Sequence, residues 1–173
     1  FTPVKEGSVP VFHEDVKVWE VTNKSNGEHI GLWYLDPFAR SGKRSGAWAT
    51  TYRSHSTFDG KKNVLASNNS NFVKPAPGEA LLVSWDDAST FLHEFGHLLH
   101  NMFSGSQSWL NIAGMSMERD FVEAPSQMLE EWVWDYDTLK TFAVNDKGQV
   151  IPKVLVEKMN RARLFGESIS TAT

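Results

Sequence analysis

The chain has 173 residues, 40% hydrophobic and 22% charged, the balance of one compact domain and not of a disordered chain. Its 17 Lys+Arg against 21 Asp+Glu leave a net charge of -4, without the basic excess that nucleic-acid binding needs. Zero cysteines exclude disulfides, thiolate metal sites and cysteine nucleophiles, and no apolar run approaches the ~18 residues of a membrane helix.

The first ten residues mix Lys5, Glu6, Pro3 and Pro10 and do not read as a signal peptide. Phe1 in place of Met reads as a processed product or a piece of something longer. Val16 to Val21 alternates apolar and polar with period two, a strand pattern. Asn26-Gly27 supplies turn residues, and Ile30 to Leu35 comes next as a partner strand across a loop longer than two residues. Ala39 to Gly46, with Arg40, Lys43 and Arg44, reads as an exposed loop. Trp48 to Tyr52 and Val64 to Ser67 are third and fourth strands, and Asn68 to Asn71 is turn chemistry. Leu81 to Val83 is a short strand or an extended lead-in to a helix.

From Ser84 the period changes. Ser84 is an N-cap residue, and Asp86 and Asp87 favour the positive end of a helix. Ala88, Phe91, Leu92, Phe95, Leu99 and Met102 recur at helical spacing, and Gly105 can end the helix. A second helix is expected from about Asp120 to about Phe142, with Pro125 tolerable only in its first turns. A last amphipathic helix runs from Pro152 to Phe165.

The chemistry concentrates in His93-Glu94-Phe95-Gly96-His97. Two histidines four apart on a helix share a face, so their imidazoles can hold one Zn²⁺ at about 2.0–2.1 Å. Glu94 lies beside that face and can take a proton from a zinc-bound water whose pKa the metal has lowered to about 7. The same five residues also arise by chance, as two surface histidines around a glutamate. Three features favour a site: an apolar opposite face, Gly96 at a cost of roughly 1 kcal/mol against Ala, and a carboxylate cluster downstream.

A catalytic zinc needs a third protein ligand and one open position. No histidine occurs after His100, so a downstream third ligand must be a carboxylate: Glu118, Asp120, Glu123, Glu130 or Glu131. Glu123 sits in the apolar run Phe121-Val122-Glu123-Ala124-Pro125, where a charge is costly unless paired or metal-bound. The competing account makes it a helix-start carboxylate satisfied by backbone N–H groups. Asp120 and Gln127, one turn either side on its face, are candidates to orient His93 or His97; Asp120 is equally a candidate N-cap. Ala66, Ser67 and Asn68 are candidates for an edge strand that pairs with an extended peptide, against an internal strand and turn. Arg40, Lys43 and Arg44 can attract a peptide carboxylate, or form a solvated loop. His13, His29 and His55 read as isolated, and Trp132 with Trp134 as helix packing.

His93 to His100, together with Asp120-Phe121-Val122-Glu123-Ala124-Pro125-Ser126-Gln127-Met128-Leu129-Glu130, resembles the M3 family of zinc oligopeptidases, the group of thimet oligopeptidase, neurolysin, oligopeptidase A and dipeptidyl carboxypeptidase. Gly31 to Asp36, Gly42 to Trp48 and Asn71 to Pro75 match further blocks in the same order, so the resemblance covers roughly residues 9–165. Met128 to Asp135 is most similar to thimet oligopeptidase. The resemblance implies that His93, His97 and Glu123 bind one zinc per chain, with Glu94 as general base. It implies hydrolysis of short peptides in a deep channel, within a two-lobed, mostly helical fold larger than this chain.

The expected architecture is α+β: a small mixed or antiparallel sheet, then zinc-binding helices. Residues 1–173 read as a partial catalytic domain, with 1–83 mainly strands and loops and 84–173 mainly helical. Relatives carry a Gly-rich loop with His and Tyr that stabilises the oxyanion, and no such segment comes after Gly166; Ala113 to Met117 also departs from a Gly-Thr-Asn-like run. Losing one oxyanion donor costs ~10²–10³ in rate, so this chain is expected to bind zinc and hydrolyse peptides weakly. The alternatives are a zinc-binding but catalytically incomplete module, or an interaction domain without metal. A short peptide is the expected partner, with no nucleic acid and no membrane. Self-association through bare apolar surface is expected if other lobes are missing. The expected compartment is the cytoplasm, with the periplasm as alternative.

Overall fold

A computed structural model describes residues 1–56, 60, 63–106, 114–145 and 147–165. Ala113 and residues 166–173 lie outside the described residues.

β2 (Lys17–Thr22) and β3 (His29–Phe38) form the expected antiparallel pair, with Val18 opposite Tyr34 and Trp19 opposite Trp33. The loop between them turns at Gly27, whose φ of +71° suits a residue without Cβ. A register shift between Val21 and Thr22 accommodates the loop. β1 (Thr2–Pro3) pairs outside β2. β4 (Trp48–Arg53) is antiparallel to β5 (Val64–Phe72), which runs parallel to β3. The result is a mixed five-stranded sheet of order β1-β2-β3-β5-β4.

Two expectations about β5 are corrected. Asn68 to Asn71 do not turn; they continue the strand to Phe72. Asn and Ser disfavour strands in isolation, but here hydrogen bonds offset that tendency. Trp33 Nε1 donates to Asn68 Oδ1 at 3.0 Å, Asn69 Nδ2 to Ser67 Oγ at 3.0 Å, and Asn71 Nδ2 to the Arg44 and Gly46 carbonyls at 2.8 and 2.7 Å. Further, β5 is interior. Ala66, Ser67 and Asn68 are paired on both sides, by β3 and β4, and offer no free edge to a peptide.

Alternation then sorts the sheet into two faces. Val21, Val64 and Ala66 form one core with Leu98 and Met102 of the long helix, joined by Trp33, Phe95 and Leu99. Val16, Val18 and Tyr34 cluster with Leu32 and Leu65 on the other face. The long helix is α1 (Trp85–Phe103), opened by a capping box: Ser84 Oγ accepts from Asp87 N at 3.0 Å, and Asp87 Oδ2 from Ser84 N at 3.2 Å. Leu81 to Val83 is the extended lead-in to α1, not a strand.

The second expected helix is broken. α2 (Arg119–Val122) stops at Glu123, and α3 (Ala124–Glu130) restarts there. Pro125 has no N–H to continue the ladder, and its ring collides with the Phe121 carbonyl of an unbroken helix. A 3₁₀ turn (Glu131–Val133) comes next, then α4 (Tyr136–Leu139), capped by Asp135. α5 (Lys153–Leu164) starts after Pro152 as expected.

The 39–46 loop is not simply exposed. Asp36 is 2% exposed and accepts from both terminal guanidinium nitrogens of Arg40 at 2.6 and 2.8 Å. The Lys43 side chain, 4% exposed, lies 3.2 Å from Asp36 Oδ1 and donates to the carbonyls of Asp36 and Phe38. Burial raises the Asp36 pKa, but Arg40 and Lys43 outweigh it and hold the carboxyl below its ordinary 3.8. A depressed carboxyl stabilises the fold above the unfolded value and loses that contribution as pH falls through the folded one. Asp36→Ala strands a buried ammonium and is expected to cost about 3–5 kcal/mol. Urea melts should show this loss near neutrality, and it should shrink below pH ~4 as wild type weakens. A near-wild-type melt for Asp36→Ala contradicts this role for the carboxylate.

Candidate metal centre

α1 presents opposite faces to the sheet and to α3. Leu98 and Met102 are buried toward the strands. Gly96 faces α3 so closely that a Cβ there would stand 2.5 Å from Ser126 Cα and 3.0 Å from both Pro125 O and Ser126 N. Absence of a side chain at 96 therefore lets two backbones touch one residue before His97.

That contact brings three donors together. His93 Nε2 and His97 Nε2 are 3.1 Å apart, and Glu123 Oε2 lies 3.1 Å from each. No other group of three or more His, Asp or Glu able to hold a metal occurs among the described residues. Tetrahedral ligation at 2.0–2.1 Å separates donors by about 3.3 Å, close to this triangle. Two imidazoles and a carboxylate are also the donor set that leaves zinc one open position. The residues fit the ion.

Glu123 is not tied up as a helix cap: its side chain caps neither α2 nor α3 and is 46% exposed. Its backbone, at φ -88° and ψ -8°, forms the joint between the two helices. Fully buried Ser126 donates its hydroxyl to Glu123 Oε2 at 3.0 Å and to the Glu123 carbonyl at 2.9 Å. The sequence pattern did not single out Ser126; an i,i+3 hydroxyl after a candidate ligand is the signal for it.

Glu130 Oε1 lies 2.5 Å from His93 Nδ1, on the ring edge away from Glu123, so it stands outside the donor triangle. Asp120 and Gln127 make no hydrogen bond to either ring among the described residues, so the expected orienting role does not fall on them. Glu94 is half-buried on α1, and no hydrogen bond or ion pair engages its carboxylate among the described residues. Burial, and then His97, hold the His100 imidazole below its ordinary pKa, so it adds no positive charge beside the centre at neutral pH.

Residues 1–173 match the family model described as peptidase family M3. The chain belongs to this family. Among M3 relatives it is 39% identical to the dipeptidyl carboxypeptidase of Escherichia coli (strain K12), over 95% of this chain and 24% of that protein. It is 38% identical to a thimet-like oligopeptidase of Dictyostelium discoideum, over 96% of this chain and 26% of the relative. Oligopeptidase A of Escherichia coli (strain K12) matches at 34%, again over 95% and 24%. The chain thus spans about a quarter of the length of these M3 proteins, and the identities do not single out the thimet subgroup.

The remaining site candidates have other partners. Arg40 and Lys43 are committed to Asp36, and Arg44 lies 4.5 Å over the Trp48 ring. His29 Nδ1 lies 2.8 Å from Glu20, His13 Nδ1 accepts from Asp15 N at 3.2 Å, and His55 packs on Gly105. Trp134 packs edge-on against Trp85, while Trp132 is half exposed. No helix of the described residues is long and apolar enough to cross a membrane.

Proposed function

We propose that this chain carries the zinc centre of an M3 metallopeptidase acting on short peptides, with His93, His97 and Glu123 as ligands and Glu94 as general base. The observation that supports it most is the equilateral convergence of Nε2, Nε2 and Oε2 at 3.1 Å. When bound, the cation lowers the pKa of a water and polarises the scissile carbonyl. Glu94 receives the water's proton and delivers it to the departing amine. Its freedom from other partners suits that two-way transfer. The peptide backbone pairs with the outer edge of β4, unpaired among the described residues and beside α1, where Asn101 Nδ2 donates to Thr51 Oγ1 at 2.5 Å.

Peptide hydrolysis is proposed for the whole protein and zinc binding for this chain, with weak turnover for the chain alone. Metal analysis of native protein and of His97→Ala, with a quenched fluorescent peptide assayed in parallel, tests this. About one zinc per chain is expected for wild type and well below that for His97→Ala. Bound zinc with negligible turnover favours a binding module, and wild type without zinc favours an interaction domain.

A further inference from the structure

We propose that Glu130 is a positioning residue of the metal centre: its carboxylate accepts the Nδ1–H of His93 and holds that imidazole with Nε2 toward the cation. This rests on the zinc reading above and adds a residue to it. A neutral imidazole carries one N–H. An ion bound at Nε2 takes that lone pair, so the one N–H sits on Nδ1, 2.5 Å from Glu130 Oε1. A ligating histidine commonly makes this second contact, which fixes both tautomer and ring plane.

The placement on α3 is what makes Glu130 fit the role. Glu123 opens α3 and Glu130 is its last residue, about two turns apart and hence on one face. One short helix thus supplies a ligand at its first end and an orienting carboxylate at its last, both reaching His93. The same helix is pressed against α1 at Ser126 and Gly96, between those two contacts. His97 differs: its Nδ1 is buried without a hydrogen-bond partner among the described residues, and its side chain is 14% exposed against 25% for His93. His97 is the more buried ring, whereas His93 is the one with a carboxylate at Nδ1.

The experiment compares zinc affinity, by chelator competition, in wild type, Glu130→Ala and Glu130→Gln. Far-UV circular dichroism and urea melts of the metal-free proteins report folding. Glu130→Ala should bind zinc about 10–100-fold more weakly with its metal-free melt little changed. Glu130→Gln should stay within a few-fold of wild type, since its amide oxygen accepts the same N–H. Alanine at 130 with wild-type affinity overturns the proposal, as does glutamine falling as far as alanine. Failure of wild type to bind zinc would instead remove the reading on which this one stands.

Discussion

Gly96→Ala is expected to destabilise the protein by about 1–3 kcal/mol and to weaken zinc binding at least tenfold, although no donor atom is altered. Helix propensity alone predicts the opposite sign, a gain of up to ~1 kcal/mol for Ala over Gly inside α1. Contact distances decide between the two. The added methyl would meet Ser126 Cα at 2.5 Å and two further backbone atoms at 3.0 Å, and backbone has no rotamer to yield. α3 must retreat, taking Glu123 with it, because Ser126 hydrogen-bonds both the Glu123 carbonyl and its Oε2. Metal distances tolerate only ~0.2 Å, so a small retreat opens the 3.1 Å triangle. Chelator competition and thermal melts with and without zinc measure both effects. A variant more stable than wild type and equally tight for zinc would show that the interhelical contact is slack.

The α1 segment was legible because every local signal agreed: Ser84 with Asp87 at the start, apolar residues at helical spacing, and two histidines four apart. The β2–β3 pair was legible for the same reason. β5 was not. Asn68 to Asn71 have turn propensity, and what keeps them extended is a set of hydrogen bonds to Trp33, Trp48, Arg44 and Gly46, all distant in sequence. Strand order is likewise a long-range property. Nothing in residues 64–72 says that β3 will pair on one side and β4 on the other, so an edge role for Ala66 to Asn68 was as readable as an interior one. Glu123 stands out in the sequence as a charge among apolar neighbours, and in the fold it opens α3 with αR backbone, not the extended backbone of a residue whose side chain caps a helix. Glu130 was in view only as a ligand. Helical spacing points to orienting residues one turn from Glu123, at Asp120 and Gln127, whereas the contact to His93 comes from two turns away.

Glu94→Gln should retain zinc and lose about 10²–10⁴ of peptide turnover, the contribution typical of a positioned general acid–base. Glutamine keeps the size and a hydrogen-bond acceptor but cannot carry a proton from water to amine. The three proposed ligand atoms belong to other residues, so metal stoichiometry should not move. Loss in kcat with KM little changed is the expected pattern, because proton transfer belongs to the transition state and not to peptide binding. Glu94→Asp separates placement from charge: it remains a carboxylate but ends one methylene short, and should fall between wild type and glutamine. His97→Ala gives the contrasting pattern, losing metal and turnover together. Were Glu94→Gln to lose zinc as well, Glu94 would join the metal's ligands and the base would have to be another group. Were it to keep full turnover, no proton would pass through residue 94, and the chemistry would fall back on Glu123, whose Oε2 already accepts from Ser126 and lies 3.1 Å from each Nε2.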